Sequence, residues 1–283
     1  MTTGISSKAM LVSLSISQWS ARKYDKQISA KVANDYATTT DAGRYNKCLL
    51  GNDALREITR ASGDARTYHY ANTLPWTDDG ARILPAAHYL AYTQKMQEFR
   101  LRFEDAVNSF VSNYPALMDE AKFALNGMFA SADYPLPMDI SQRFNLAVTV
   151  MPIPTSADFR VDLQQSDVDA IRQDIEERFA QAQAAAQRDP WDRLHASVSH
   201  MAERLSDNKA IFRDSLTENL AEICNLLPAL NVFGDPDLER MREEVQEKLC
   251  TTSAQTLRTY PGARQRTATA ATELLDRMSA YTG

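Results

Sequence analysis

Two adjacent carboxylates, Asp78 and Asp79, have the best claim to chemistry in this chain, since neighbouring acids can hold a divalent cation for hydrolysis or phosphoryl transfer. They stand directly before Gly80, however, where Asp is favoured for hydrogen bonds to its own backbone, so a turn accounts for them without catalysis. The four histidines are His69, His88, His195 and His200. A separation of five residues puts His195 and His200 about 140° apart around a helix, so they share no metal-facing side as an i, i+4 pair would. His69 sits between Tyr68 and Tyr70 and reads as part of a packed aromatic cluster. No GxSxG, HExxH, phosphate-loop or dinucleotide-binding pattern occurs. Cys48, Cys224 and Cys250 are too scattered for a disulfide framework or zinc site and read as buried thiols in a reducing compartment. The expectation is a non-enzymatic protein with no catalytic, cofactor-binding or metal residues.

The amino-terminal third carries the chemistry of binding instead. Residues 1–102 hold 14 Lys/Arg against 9 Asp/Glu, leaving 17 against 28 for the remainder of a chain whose net charge is −6. Arg22, Lys23, Lys26 and Lys31 fall within three turns of an expected helix over 17–38, with Trp19, Tyr24, Ile28 and Val32 as its inward face. Lys47, Arg56, Arg60 and Arg66 follow, interleaved with Tyr24, Tyr36, Tyr45, Tyr68 and Tyr70. Cations beside flat rings suit single-stranded nucleic acid, because phosphates take the charge and unstacked bases take the ring faces. The balance is modest, and the same lysines could solubilise a helix or meet the acidic half of another subunit.

The elements that position these groups are mostly helical. Nine glycines in 283 residues are few, which favours long helices over Gly-rich loops. Tyr89, Tyr92, Met96, Phe99, Phe103, Ala106 and Phe110 recur at three- and four-residue spacings, one stripe of a long helix over about 86–114 that Pro115 should end or kink. Such a stripe is usually an intramolecular core; its length and aromatic content make it the expected self-association element and the chain a homo-oligomer. Strands are expected at Met10–Ile16, Arg44–Leu50, Phe144–Val150 and Phe159–Leu163, pairing in one small sheet confined to residues 1–50 and 140–165. From residue 166 the signals are helical, with starts marked at Asp189-Pro190 and Asp235-Pro236. The expected fold is therefore α+β and predominantly α-helical. A mixed region over 1–165 precedes an acidic, all-helical, coiled-coil-like array over 166–283. No signal peptide or membrane span is expected, which points to the cytoplasm of a bacterial host.

The segments KCLLGNDAL, RTYHYANTLPWTDDGARILP and SADYPLPMDISQRFNLAVTVMPIP resemble a family of uncharacterised bacteriophage and mobile-element proteins. Members are often encoded near a MoxR-like AAA+ ATPase and a protein with a von Willebrand A domain. The resemblance implies a mobile-element context, with those two proteins as candidate partners, and assigns no residue a role. Two functions are expected from it and from the residues: an oligomeric scaffold or adaptor, or a single-stranded DNA-binding accessory of recombination or replication.

Overall fold

A computed structural model describes residues 3–76, 80–154, 165–207 and 209–282. It is 67% helical with a small antiparallel sheet of four strands, which makes the protein a predominantly α-helical α+β fold. The chain folds as two compact units, one of residues 1–13, 70–92 and 149–283, the other of residues 14–69 and 93–148.

The first unit starts with helix α1 (Thr3–Ser6) and strand β1 (Ala9–Ser17), whose first five residues belong to it. Strand β5 (Ala81–Pro85) runs antiparallel to β1 from Ala9 opposite Pro85 to Ser13 opposite Ala81. Strand β4 (Leu74–Pro75) pairs with the outer side of β5, and β6 (Asn145–Met151) lies beside β1, so the order is β4-β5-β1-β6. Two of these strands correct the expectation that strands stop at residue 50 and resume at 140. The aromatic, proline-bearing stretch 68–85 had no alternation to mark it, yet Leu74, Ile83 and Leu84 are fully buried there. Pro75 and Pro85 fit because each stands at a strand end, where one missing N–H costs little. Phe159–Leu163, the other expected strand, lies outside the described residues.

The rest of this unit is helical: α5 (Gln165–Ser206), α6 (Ser215–Leu230), α7 (Pro236–Leu249), α8 (Ala254–Thr259) and α9 (Pro261–Thr282). Trp191, Leu194, Val198, Met201 and Leu205 of α5 meet Leu216, Leu220 and Leu227 of α6, Leu238, Met241 and Val245 of α7, and Leu274 and Met278 of α9 in one core. A second cluster joins Ile5, Leu11 and Ile83 to Phe179 and Leu230, with Trp76 edge-on to Phe179 at 5.5 Å. Asp235 starts α7 as expected: its carboxylate accepts from the backbone of Asp237 at 2.9 Å and Leu238 at 3.2 Å. The turn ahead of it requires a left-handed residue, supplied by Gly234 at φ 70. Asp189-Pro190 corrects the expectation of a second start, since α5 continues through it. The Asp189 carboxylate faces Arg193, one turn on, at 2.6 Å. Arg193 also donates to the carbonyls of Tyr70 (3.1 Å), Ala71 and Thr73 (2.8 Å), tying α5 to the chain leading into β4. Burial outweighs Arg193 and Arg82 and raises the Asp189 carboxyl above the usual range.

The second unit holds strand β2 (Arg22–Tyr24), helix α2 (Lys26–Asp35), strand β3 (Asn46–Cys48) and helix α3 (Arg56–Ala71), whose last two residues pass into the first unit. It also holds most of α4 (Tyr89–Leu125). Three expectations are corrected. Residues 17–38 are not one helix, because Asp25 caps α2 by accepting from Gln27 and Ile28, both at 3.1 Å, and Ala21 turns the chain at φ 49. β3 does not join the main sheet; it pairs with β2 in a separate ribbon with Lys23 opposite Lys47. Helix α4 runs unbroken through Pro115 and stops only where Asn126 turns left-handed at φ 46. A proline removes one backbone bond, and the burial of Tyr114 on one side and Ala121 on the other offsets that loss.

Candidate functional site

The expected self-association stripe on α4 is consumed inside the chain. Tyr92, Met96, Phe99, Phe103 and Phe110 are all buried, Tyr89 and Ala106 partly so. Tyr68 tilts onto Phe99 at 5.6 Å, Phe144 meets Phe110 edge-on at 5.5 Å, and Trp19 lies 5.9 Å from Tyr114. Burial pushes the Tyr114 phenol up to about 12, and its hydroxyl donates to the carbonyl of Pro135 at 3.1 Å. Burial leaves these side chains little surface to offer a second copy, and Phe99 and Phe110 each pack against rings of the same chain.

The expected nucleic-acid residues divide in two. Lys47 is buried, with its Nζ 2.5 Å from Asp133 and 3.8 Å from Asp25 while donating to the carbonyl of Met128 at 2.8 Å. Lys23 reaches the same Asp133 at 2.7 Å. These two ammonium groups, Lys23 first, hold the Asp133 carboxyl below the usual range. Lys47 is thus a structural cation, and Lys23 and Arg56 (paired with Asp53) are already neutralised. The sequence offered no sign of this, because Asp133 lies more than 80 residues from Lys47.

Arg22, Lys26 and Lys31 remain exposed on β2 and α2, and Arg60 and Arg66 on α3. The tyrosines that accompany the first group are also open: Tyr24 is 39% exposed, Tyr45 40% and Tyr36 80%. Val32, expected to face inward, is 46% exposed, because Ser29 and Ala33 form the buried side of α2. Val32, Tyr36 and Tyr45 line a cleft of about 340 Å³ between α2 and the segment 36–45, walled by Ala33, Ala42 and Thr38 and almost wholly apolar. The Ser29 hydroxyl fixes the far wall by accepting from the backbone N–H of Tyr45 at 3.0 Å. At the cleft's edge the Arg44 guanidinium sits 5.8 Å over the Tyr24 ring. Sequence reasoning found the tyrosines and cations and missed Val32 and Arg44 as members of one surface.

Asp78 and Asp79 lie outside the described residues. His195 is partly buried and His200 exposed on α5, while His69 is buried on α3. Among the described residues no group of three His, Cys, Asp or Glu side chains could hold a metal ion, and no helix is long and apolar enough to cross a membrane. Comparison with protein-family models, curated proteins and solved structures gives no match.

Proposed function

We propose that this protein is a non-enzymatic adaptor that docks a segment of a protein partner in the α2 cleft. The observation that carries the reading is the apolar cleft itself. Val32, Tyr36 and Tyr45 leave hydrocarbon and ring surface open at one concave place, with the Arg44 guanidinium at its edge. That arrangement suits a peptide with an apolar anchor and acidic flanks. The family resemblance supplies candidate partners, a MoxR-like AAA+ ATPase and a von Willebrand A domain protein of a bacteriophage or mobile element. Assembly as a homo-oligomer belongs to the same reading, through surfaces other than the buried α4 stripe. Co-expression with the two neighbouring proteins tests it: one should co-purify with the parent chain and be lost with Tyr36→Asp. Co-purification that survives Tyr36→Asp and Tyr45→Asp together, or none with the parent, removes the reading.

A second reading, single-stranded DNA binding, is favoured by one specific observation. Arg22, Lys26 and Lys31 are exposed beside three exposed tyrosines. It requires affinity for an unstructured oligonucleotide that falls roughly tenfold or more between about 50 and 200 mM salt. Arg22→Glu, Lys26→Glu and Lys31→Glu together should abolish it. An oligonucleotide that fails to bind at low salt ends this reading and leaves the first untouched.

A further inference from the structure

A cavity in the acidic half of the chain carries two arginines in its lining. It opens between the last turns of α5 and the start of α6 and has a volume of about 370 Å³, within the range of small-molecule sites. His200 and Arg204 approach from α5, and Arg213 from the segment before α6. Ser197, Ser215 and Asn219 add two hydroxyls and an amide between them. No carboxylate lines the cavity among the described residues.

The nearby acids are engaged elsewhere or point away. Asp214 is paired with Arg258 at 2.6 Å. The Asp207 carboxylate accepts from the backbone of Lys209 at 2.9 Å. Glu203 and Glu218 are exposed and do not line the cavity. Other arginines of the region are likewise committed: Arg264 donates to the carbonyls of Leu205 (2.9 Å), Arg204 (2.8 Å) and Asp207, closing the end of α5. Among the described residues, Arg204 and Arg213 are the arginines that line the cavity, and both are exposed.

The floor is hydrocarbon. Leu216 and Leu220 are buried beneath the polar wall, and Phe212 is buried with Arg264 held 5.1 Å over its ring. Ile211 at the rim is 91% exposed. Planar guanidinium groups match the oxygens of a phosphate, and an apolar floor below them suits the organic part of a phosphate ester rather than a free inorganic ion.

We propose that this cavity binds a small organic phosphate, with Arg204 and Arg213 clasping the phosphate and Leu216 and Leu220 receiving the apolar body. The site lies in the first unit, on α5, α6 and the segment that joins them, and shares no residue with the α2 cleft. Calorimetric titration of the full chain with phenyl phosphate tests it, with inorganic phosphate and phenol as controls. Phenyl phosphate should bind with one site per chain and more tightly than either control. Arg204→Gln with Arg213→Gln should weaken it at least about tenfold, since each lost charge-assisted hydrogen-bond donor is worth that much. Both side chains are exposed, so the double variant should keep the parent's melting temperature, and a changed binding constant then reports on the site. Leu220→Met, which keeps volume, should alter affinity for phenyl phosphate and leave inorganic phosphate unchanged. Phenyl phosphate binding that is undetectable in the parent, equal to that of phenol, or unaltered in the double arginine variant overturns the proposal.

Discussion

The two units solve the same packing problem with different materials. Around α4 the core is aromatic and its polar ends are tied down: Tyr134 donates to the carbonyl of Leu49 at 2.6 Å, Tyr114 to that of Pro135, and Lys47 is held between Asp133 and Asp25. Across α5, α6, α7 and α9 the core is mostly aliphatic, with leucine, valine, methionine and alanine around the rings of Trp191 and Phe212. Rings carry direction as well as area, so the first kind of core fixes neighbours at particular angles. Aliphatic side chains fill space with few orientational demands, so the second tolerates repacking. In neither unit does the strongest hydrophobic stripe face outward, and the surfaces left for partners are smaller places assembled from several elements.

Cutting into each core sharpens that contrast most. Phe103→Ala should cost about 3–5 kcal/mol and Leu220→Ala about 2–5 kcal/mol in chemical denaturation, the aromatic loss being the less able to collapse. Phe103→Asp should fail to yield a folded second unit at all. A Phe103→Asp protein that stays folded and merely loses mass in light scattering would show the stripe to be an interface between copies, and would break the comparison.

The buried cation comes next. Lys47→Ala should cost about 1–3 kcal/mol, because it removes a buried ammonium that Asp133 and the carbonyl of Met128 share. Arg204→Ala and Arg213→Ala, whose side chains meet solvent, should stay within about 0.5 kcal/mol. Equal costs at Lys47 and Arg204 would mean that burial is not what separates the two sets of cations.

How far the sequence foretold this molecule follows from the range of each signal. Local signals read correctly where nothing distant opposed them. Asp235 caps α7 because its other carboxylate oxygen also has a use, accepting from the Trp191 indole at 2.9 Å, so cap and tertiary contact agree. The same dipeptide at Asp189-Pro190 obeys a distant partner instead, since Arg193 and the chain at 70–73 hold α5 continuous. The helical array expected from residue 166 and the sheet joining N-terminal and central strands were legible in periodicity and caps. Strand β5 was not, because ARILP has no alternation of its own and becomes a strand by pairing with β1. The basic character of the first third was plain from composition, but which cations stay free depended on Asp133, and no spacing rule connects it to Lys23 or Lys47.

Acid separates the carboxyls of Asp133 and Asp189 by sign. In the second unit, the Asp133 carboxyl is held low by Lys23 and Lys47; its stabilisation is present above the ordinary 3.8 and lost as pH falls through the depressed value. In the first unit, Asp189 is raised by burial, so its ionised form costs stability above its folded-state value and the cost fades on acidification. Relative to the parent, Asp133→Asn should therefore recover stability between about pH 6 and pH 3, and Asp189→Asn should lose it. Glu244, in the first unit and held at about 2 chiefly by Arg277, shares the sign of Asp133, and its stabilisation disappears between 4.5 and about 2. Melting temperatures of both variants at the two pH values decide the matter. Parallel movement would mean that the two carboxyls are not in opposite environments.

The smallest expected effect on stability belongs to the cleft. Tyr36 is 80% exposed and packs against little, so Tyr36→Ser should change the unfolding free energy by less than about 0.5 kcal/mol. Val32→Ser, at 46% exposure on the same wall, should do scarcely more. A ring that contributes so little to its own fold, yet stands open beside Val32 and Tyr45, is available to contribute to something else. The pair of substitutions therefore divides stability from recognition. Denaturation curves should superimpose on the parent's while binding of the protein partner drops by tenfold or more, the loss that truncating a central aromatic anchor produces. If Tyr36→Ser instead melts the second unit, the ring is a strut between α2 and the segment 36–45, and the place for a partner lies elsewhere on the molecule.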